Sequence, residues 1–382
     1  MNIPSEFDEI RPYEPEELSE AYERLLSNPQ FKMVMAYIMP EEPFEAIAAK
    51  MRSCKTNLEF QKAFCYPFLQ NLLAKASKGC DMNTSTIDNT KRYTFISNHR
   101  DIVLDSALLS KLLIDAHFTT TCEIAIGDNL LFIPWVRDLV RINKSFKVER
   151  GLLTSEKLRS SKRLAEYMHF AIKQKNENLW IAQREGRCKD SDDRTQDAVL
   201  KMMTLGGDGT FIDRLLQLHL VPLSISYEFD PCDFLKAREA QCKRDISDWK
   251  KSPNDDMESM KTGIFGYKGH IHYQCAACID DFLRQIDTTQ PKSDLFHSIA
   301  EHIDDAIHKN YRLYPCNYIA LDMLHGTTEY TSHYTVEDKA FFKQYLAGQL
   351  AKIDIQNRDE DYLKQCMLTM YANPAINYLA AL

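Results

Sequence analysis

Tyr93-Thr-Phe-Ile-Ser-Asn-His-Arg-Asp-Ile-Val-Leu-Asp105 joins two patterns in thirteen residues. Tyr93 to Ser97 is a short apolar, β-branched run and reads as a buried strand. Ile102, Val103, Leu104, Ala107, Leu108 and Leu109 then form a mostly apolar helix. His99 falls between them, so the imidazole sits at the carboxyl edge of a sheet, where α/β proteins build their sites. Asp101 and Asp105 both lie near enough to steer the ring. A carboxylate on one ring nitrogen fixes the tautomer and frees the other nitrogen as a base. The bland alternative is a helix-capping Asn98 followed by incidental polar residues.

Outward from this stretch the rhythm is strand, helix, strand. Strands are expected at 123–126, 146–149, 179–183, 220–226 and 269–275. Pro134 opens one helix, and Ser155 caps another that runs to Lys173. Asp233 to Lys251 reads as one charged helix and Ser252 to Asp256 as a solvated loop. The alternation implies an α/β fold with a mostly parallel central sheet flanked by helices. Residues 1–80 and 291–382 read as helical regions around an α/β domain at 81–290. The polar run from Lys78 to Ser85 reads as a boundary turn.

Hydrophobic residues make up 44% of the 382 and charged residues 27%, as in soluble globular proteins. A net charge of −8 argues against a nucleic-acid binder. Yet Arg137, Arg141, Lys144, Lys147, Arg150, Lys157, Arg159, Lys162 and Arg163 are opposed only by Asp138, Glu149 and Glu156. Such an island suits a phosphorylated ligand or an anionic surface, or else a solvated helix face. Eleven scattered cysteines and no secretory apolar segment after Met1 point to a reducing cytoplasm. No run reaches the roughly 18 apolar residues of a spanning helix, so any membrane contact is peripheral.

Two further clusters follow strands. Gln183-Arg-Glu-Gly-Arg-Cys-Lys-Asp190 places Arg184, Arg187 and Lys189 around a tight turn at Glu185 and Gly186. Glycine lets backbone approach a ligand, and arginine offers a planar fork to phosphate. Lys144 and Arg150 flank the 146–149 strand that Phe146 opens, and Pro222 interrupts or bends the 220–226 strand. Two decoys carry less. Cys275 and Cys278 with His270 and His272 lack a second ligand pair, and residues three apart on a strand face opposite ways. Gly206-Gly-Asp-Gly209 follows a helix, so it reads as a turn rather than a phosphate loop.

The order of these clusters resembles the four sequence blocks of the glycerolipid acyltransferase family, between Tyr93 and Glu228. The resemblance makes His99 the catalytic base and Asp105 its acidic partner, although five residues separate them where the family has four. Asp101 is the other carboxylate within reach. Phe146 and Arg150 match the second block, Glu185 and Gly186 the third, with Arg187 following directly, and Pro222 the fourth. The implied chemistry is direct transfer of an acyl group from acyl-CoA or acyl carrier protein to a hydroxyl of a phosphorylated glycerol or lysolipid. Lys144, Arg150 and Arg187 would hold the phosphate. No cofactor or metal is implied beyond the thioester co-substrate, and the expected location is the cytoplasmic face of a membrane. Two rivals remain: a metal-dependent hydrolase using His99 with Asp101 and Asp105, and a non-catalytic lipid-binding protein.

Overall fold

Seven segments pair as strands. They are β1 (Gly79–Asn83), β2 (Thr94–Ser97), β3 (Cys122–Gly127), β4 (Ser145–Val148), β5 (Asn178–Ala182), β6 (Leu220–Tyr227) and β7 (His270–Cys275). The computed structural model describes residues 3–382 and orders these strands β1-β7-β6-β2-β5-β3-β4. The five from β6 to β4 are mutually parallel, β7 runs antiparallel to β6, and β1 runs parallel to β7. β2 and β5 are wholly or almost wholly buried, as central strands covered on both faces must be.

One face of the sheet is covered by helices 154–173, 197–203, 211–216 and 292–309, through Met168, Leu200, Leu215, Ile303 and others. The opposite face is covered by helices 66–76 and 104–115, through Leu72, Leu108 and Leu112. The remaining N-terminal helices pack among themselves around Tyr22, Leu25 and Phe60, with Ile142 inserted. Helices 315–325, 336–350 and 360–380 enclose a further core with helix 233–245. The α/β class, the mostly parallel sheet and the flanking helical regions are thus those expected.

Four local expectations are corrected. The run at Lys78–Ser85 is not only a turn, because Gly79–Asn83 is an edge strand that pairs along β7. An edge strand needs no apolar alternation, so polar Asp81 and Asn83 hid it. Pro222 does not interrupt β6. Its carbonyl accepts from Ala276 just beyond the last β6–β7 pair, Leu223 with Cys275, so its missing N–H costs no ladder bond. Ser155 caps nothing, since the helix already begins at Thr154. The helix from Asp233 ends at Asp245, and Ser252 opens a second one at Pro253 through a capping box with Asp255.

Candidate active site

β2 stops at Ser97 because the next side chain takes over its pairing. Asn98 accepts from Ile225 N at 2.8 Å and donates to Ile225 O at 2.9 Å, so a buried amide continues the β2–β6 ladder while the backbone turns away. His99 is therefore presented at the carboxyl edge. Its ring sits edge-on to Trp180, 5.5 Å between centroids, and Trp180 is itself fixed by a 3.0 Å bond to Ser97 Oγ.

The two aspartates have separate work. Asp105 Oδ2 lies 2.8 Å from His99 Nδ1 and also accepts from the N–H groups of Arg100 (2.6 Å) and Asp101 (3.0 Å). Asp105 is fully buried in the first turn of helix 104–115, where the helix dipole favours a negative charge. Asp101 Oδ1 instead accepts from Val103 and Leu104, both at 2.8 Å, closing the open end of that helix. Burial, then the Asp105 charge, raises the Asp101 pKa. A Cβ on Gly263 would come within 1.9 Å of Asp101 Oδ2, so only glycine lets helix 253–265 lie there.

Arg100, next to the histidine, is buried and ion-paired to Asp193 at 2.7 Å. Asp193 also accepts from Tyr311, and its carbonyl meets His308 Nε2 at 2.8 Å. Nothing in the sequence marked Asn98, Trp180 or Asp193 as supports, because each acts through a partner remote in the chain.

The loop after β5 returns to the same edge. Cys188 N–H donates to the His99 carbonyl at 3.3 Å, which ties the loop carrying Arg187 to the segment carrying the dyad. Arg187 is only 8% exposed, its Nη1 has no hydrogen-bond partner, and it forms no ion pair among the described residues. A buried guanidinium left open in this way is a ready anion site. Lys189, Lys236 and Lys251 line the same crevice, with Glu239 2.8 Å from Lys189. Burial, then the Arg187 charge, lowers the Lys189 pKa to about 8 against the opposing pull of Glu239. Gly186 takes a left-handed φ of 71°, which the turn requires. Arg150 and Glu185 face each other at 3.9 Å across the ends of β4 and β5. A Cβ on Gly127 would lie 2.7 Å from Arg150 Nε, so Arg150 rests across a bare stretch of β3.

Three expected site residues are not brought to this edge. Lys144 precedes β4 at the opposite end of the sheet, and its ammonium is held by Glu177 at 2.6 Å and Thr120 at 2.8 Å. Phe146 is fully buried against Tyr167 in the core. Pro222 is a buried, in-register residue near the start of β6, with Ile96 opposite. Strand alternation and strand direction account for all three. His270 and His272 share Asp81, whereas Cys278 lies beyond the end of β7, with His219 and Asp280, so the separation comes from the strand ending at Cys275 and not from alternation along it.

An apolar cavity of about 250 Å³ opens between helices 29–38, 66–76 and 104–115. Met35, Phe64, Leu69, Val103, Leu104 and Ala107 are among its walls, so it runs along the helix that carries Asp105. No described helix is long and apolar enough to cross a membrane.

Residues 81–226 match the family model described as Acyltransferase. No curated protein matches the chain. Among solved structures, the 1-acyl-sn-glycerophosphate (LPA) acyltransferase of Thermotoga maritima is 11% identical. The likeness covers 75% of this chain and 94% of that one at a TM-score of 0.35, too loose to assign a role to any residue. The segment that carries His99, Asp105, Arg150 and Arg187 is the one that matches the Acyltransferase family model.

Proposed function

We propose that the protein moves a fatty acyl group from an acyl thioester, acyl-CoA or acyl carrier protein, to a hydroxyl of glycerol-3-phosphate or a lysophospholipid. The observation that carries this reading is the His99–Asp105 pair, with the unpartnered Arg187 on the loop bonded to the His99 carbonyl. His99 Nε2 takes the proton of the acceptor hydroxyl. The alkoxide attacks the thioester carbonyl, the C–S bond breaks, and the thiolate recovers the proton from the imidazolium. Asp105 holds the ring and balances its charge. Arg187 holds the acceptor's phosphate, which fixes the hydroxyl near the carbonyl. The reading needs no cofactor beyond the donor. The test is thiol release from acyl-CoA and acyl carrier protein across a panel of hydroxyl acceptors. Release only with a phosphorylated acceptor supports it, and release with no acceptor favours a hydrolase.

Lys189 gives the acceptor site a pH signature. Its ammonium is charged below about pH 8 and neutral above. Its contribution to anion affinity is present below that pH and is lost as pH rises through it. The Michaelis constant for a phosphorylated acceptor is expected to be level up to about pH 8 and to climb beyond. Lys189→Gln should raise that constant at low pH and remove the climb. A wild-type constant level across this range removes Lys189 from the site.

The apolar cavity supports a place for the acyl chain. Ala107→Phe would fill part of it. The variant is expected to lower kcat/KM for long-chain donors by roughly tenfold or more while sparing short ones. Equal loss for all chain lengths would mean that the cavity is only a packing defect.

A further inference from the structure

The basic island at 137–163 divides into paired and unpaired charges. Arg141 bonds the carbonyls of Asp8 and Arg11, Lys147 and Arg163 share Glu149, and Lys162 faces Glu166. Arg137, Lys157 and Arg159 are exposed and form no ion pair among the described residues. The same rim carries three of the chain's exposed large apolar side chains, Phe132 (49%), Leu153 (72%) and Leu158 (65%).

β3 and β4 end side by side, and the segments that carry these residues leave from or near those ends. Gly127 at the end of β3 pairs with Val148 at the end of β4, and Phe132 and Leu153 each follow five residues later. Leu158 lies seven residues, about two turns, before buried Ala165 on the same helix. It continues that helix's buried stripe past the end of the sheet, where nothing covers it. Glu156 is the exposed acid on this first stretch of helix.

We propose that this rim docks on an anionic lipid surface. The inference rests on the acyl-transfer reading only for its purpose, which is to hold the acceptor edge of the sheet against the membrane that supplies the lipid. Protruding apolar side chains among unpaired cations match the requirements of interfacial binding. The chain as a whole carries −8, so a locally cationic rim is not a general feature of its surface. Side chains this far out fit insertion between headgroups better than a concave seat for an acidic carrier protein.

The test is co-sedimentation with vesicles of phosphatidylcholine alone and of phosphatidylcholine mixed equally with phosphatidylglycerol. Wild type is expected to bind only the mixed vesicles. The double variant Lys157→Glu, Arg159→Glu should weaken binding at least about tenfold, since each cation near such a surface contributes about fivefold. Leu153→Ser with Leu158→Ser should weaken it similarly. Both should keep wild-type melting temperature and wild-type turnover of a short-chain donor with a soluble acceptor. Equal binding to both vesicle types, or undiminished binding by both variants, overturns the proposal. So does a loss confined to turnover with acyl carrier protein, which would make the rim a protein-docking site. Failure of wild type in the soluble assay would count against acyl transfer and leave the vesicle result standing.

Discussion

His99→Ala is expected to lower acyl transfer by about a hundred- to ten-thousandfold, the usual contribution of a positioned general base. The ring has one hydrogen-bond partner, Asp105, and one aromatic neighbour, Trp180. Its removal is expected to cost about 1 kcal/mol of stability, so the protein should stay folded at assay temperature. Thiol release under saturating substrates, with a thermal melt of the same preparation, checks both halves. Activity within roughly a factor of two of wild type would remove His99 from the chemistry, because no base effect is that small.

Asp105→Asn should be nearly as damaging, with a loss on the order of a thousand- to ten-thousandfold, as for the buried aspartate of hydrolase triads. Asp105 Oδ2 receives the ring and two backbone N–H groups. An amide carries no charge to balance the imidazolium. If its NH₂ faces the ring, it forces the tautomer whose proton sits on Nε2, where the base must be free. Asp101→Asn should cost about tenfold or less, because an amide oxygen still accepts from Val103 and Leu104. It also removes a buried carboxylate whose ionisation burial already opposes, so the melting temperature should not fall. Side-by-side kcat/KM values for the two variants decide between these roles, and the reverse order would exchange them.

The sheet was legible where residues carry their own signal. The β2 run is apolar whatever surrounds it, and His99 comes two residues after its end, so both the strand and the imidazole at its carboxyl edge can be read from thirteen residues. The residues alone leave Asp101 and Asp105 both within reach of the ring, and only the family resemblance singled out Asp105, because the turn's path decides which carboxylate meets the imidazole. Lys144 and Phe146 misled for a related reason. A block of sequence beside a strand does not say at which end of the sheet its first residue emerges. β1 was hidden because an edge strand is held by backbone pairing, which polar residues make as well as apolar ones. The Arg100–Asp193 pair and the Asn98 clamp were invisible because each partner lies about a hundred residues or more away.

The pairing of β1 with β7 also governs the order in which the chain can fold. Gly79 lies opposite His270, and β7 is what joins β1 to the rest of the sheet. During synthesis β1 leaves the ribosome nearly two hundred residues before its partner. Until β7 arrives, one side of β6 has no partner strand, and Ile225 and Tyr273 cannot meet across it. Loop-closure entropy of that size is paid before any contact repays it, so sheet completion is expected to be a late, slow event. The nascent chain spends that interval with apolar surface and an unpaired strand side in water, the condition that recruits chaperones or leads to aggregation.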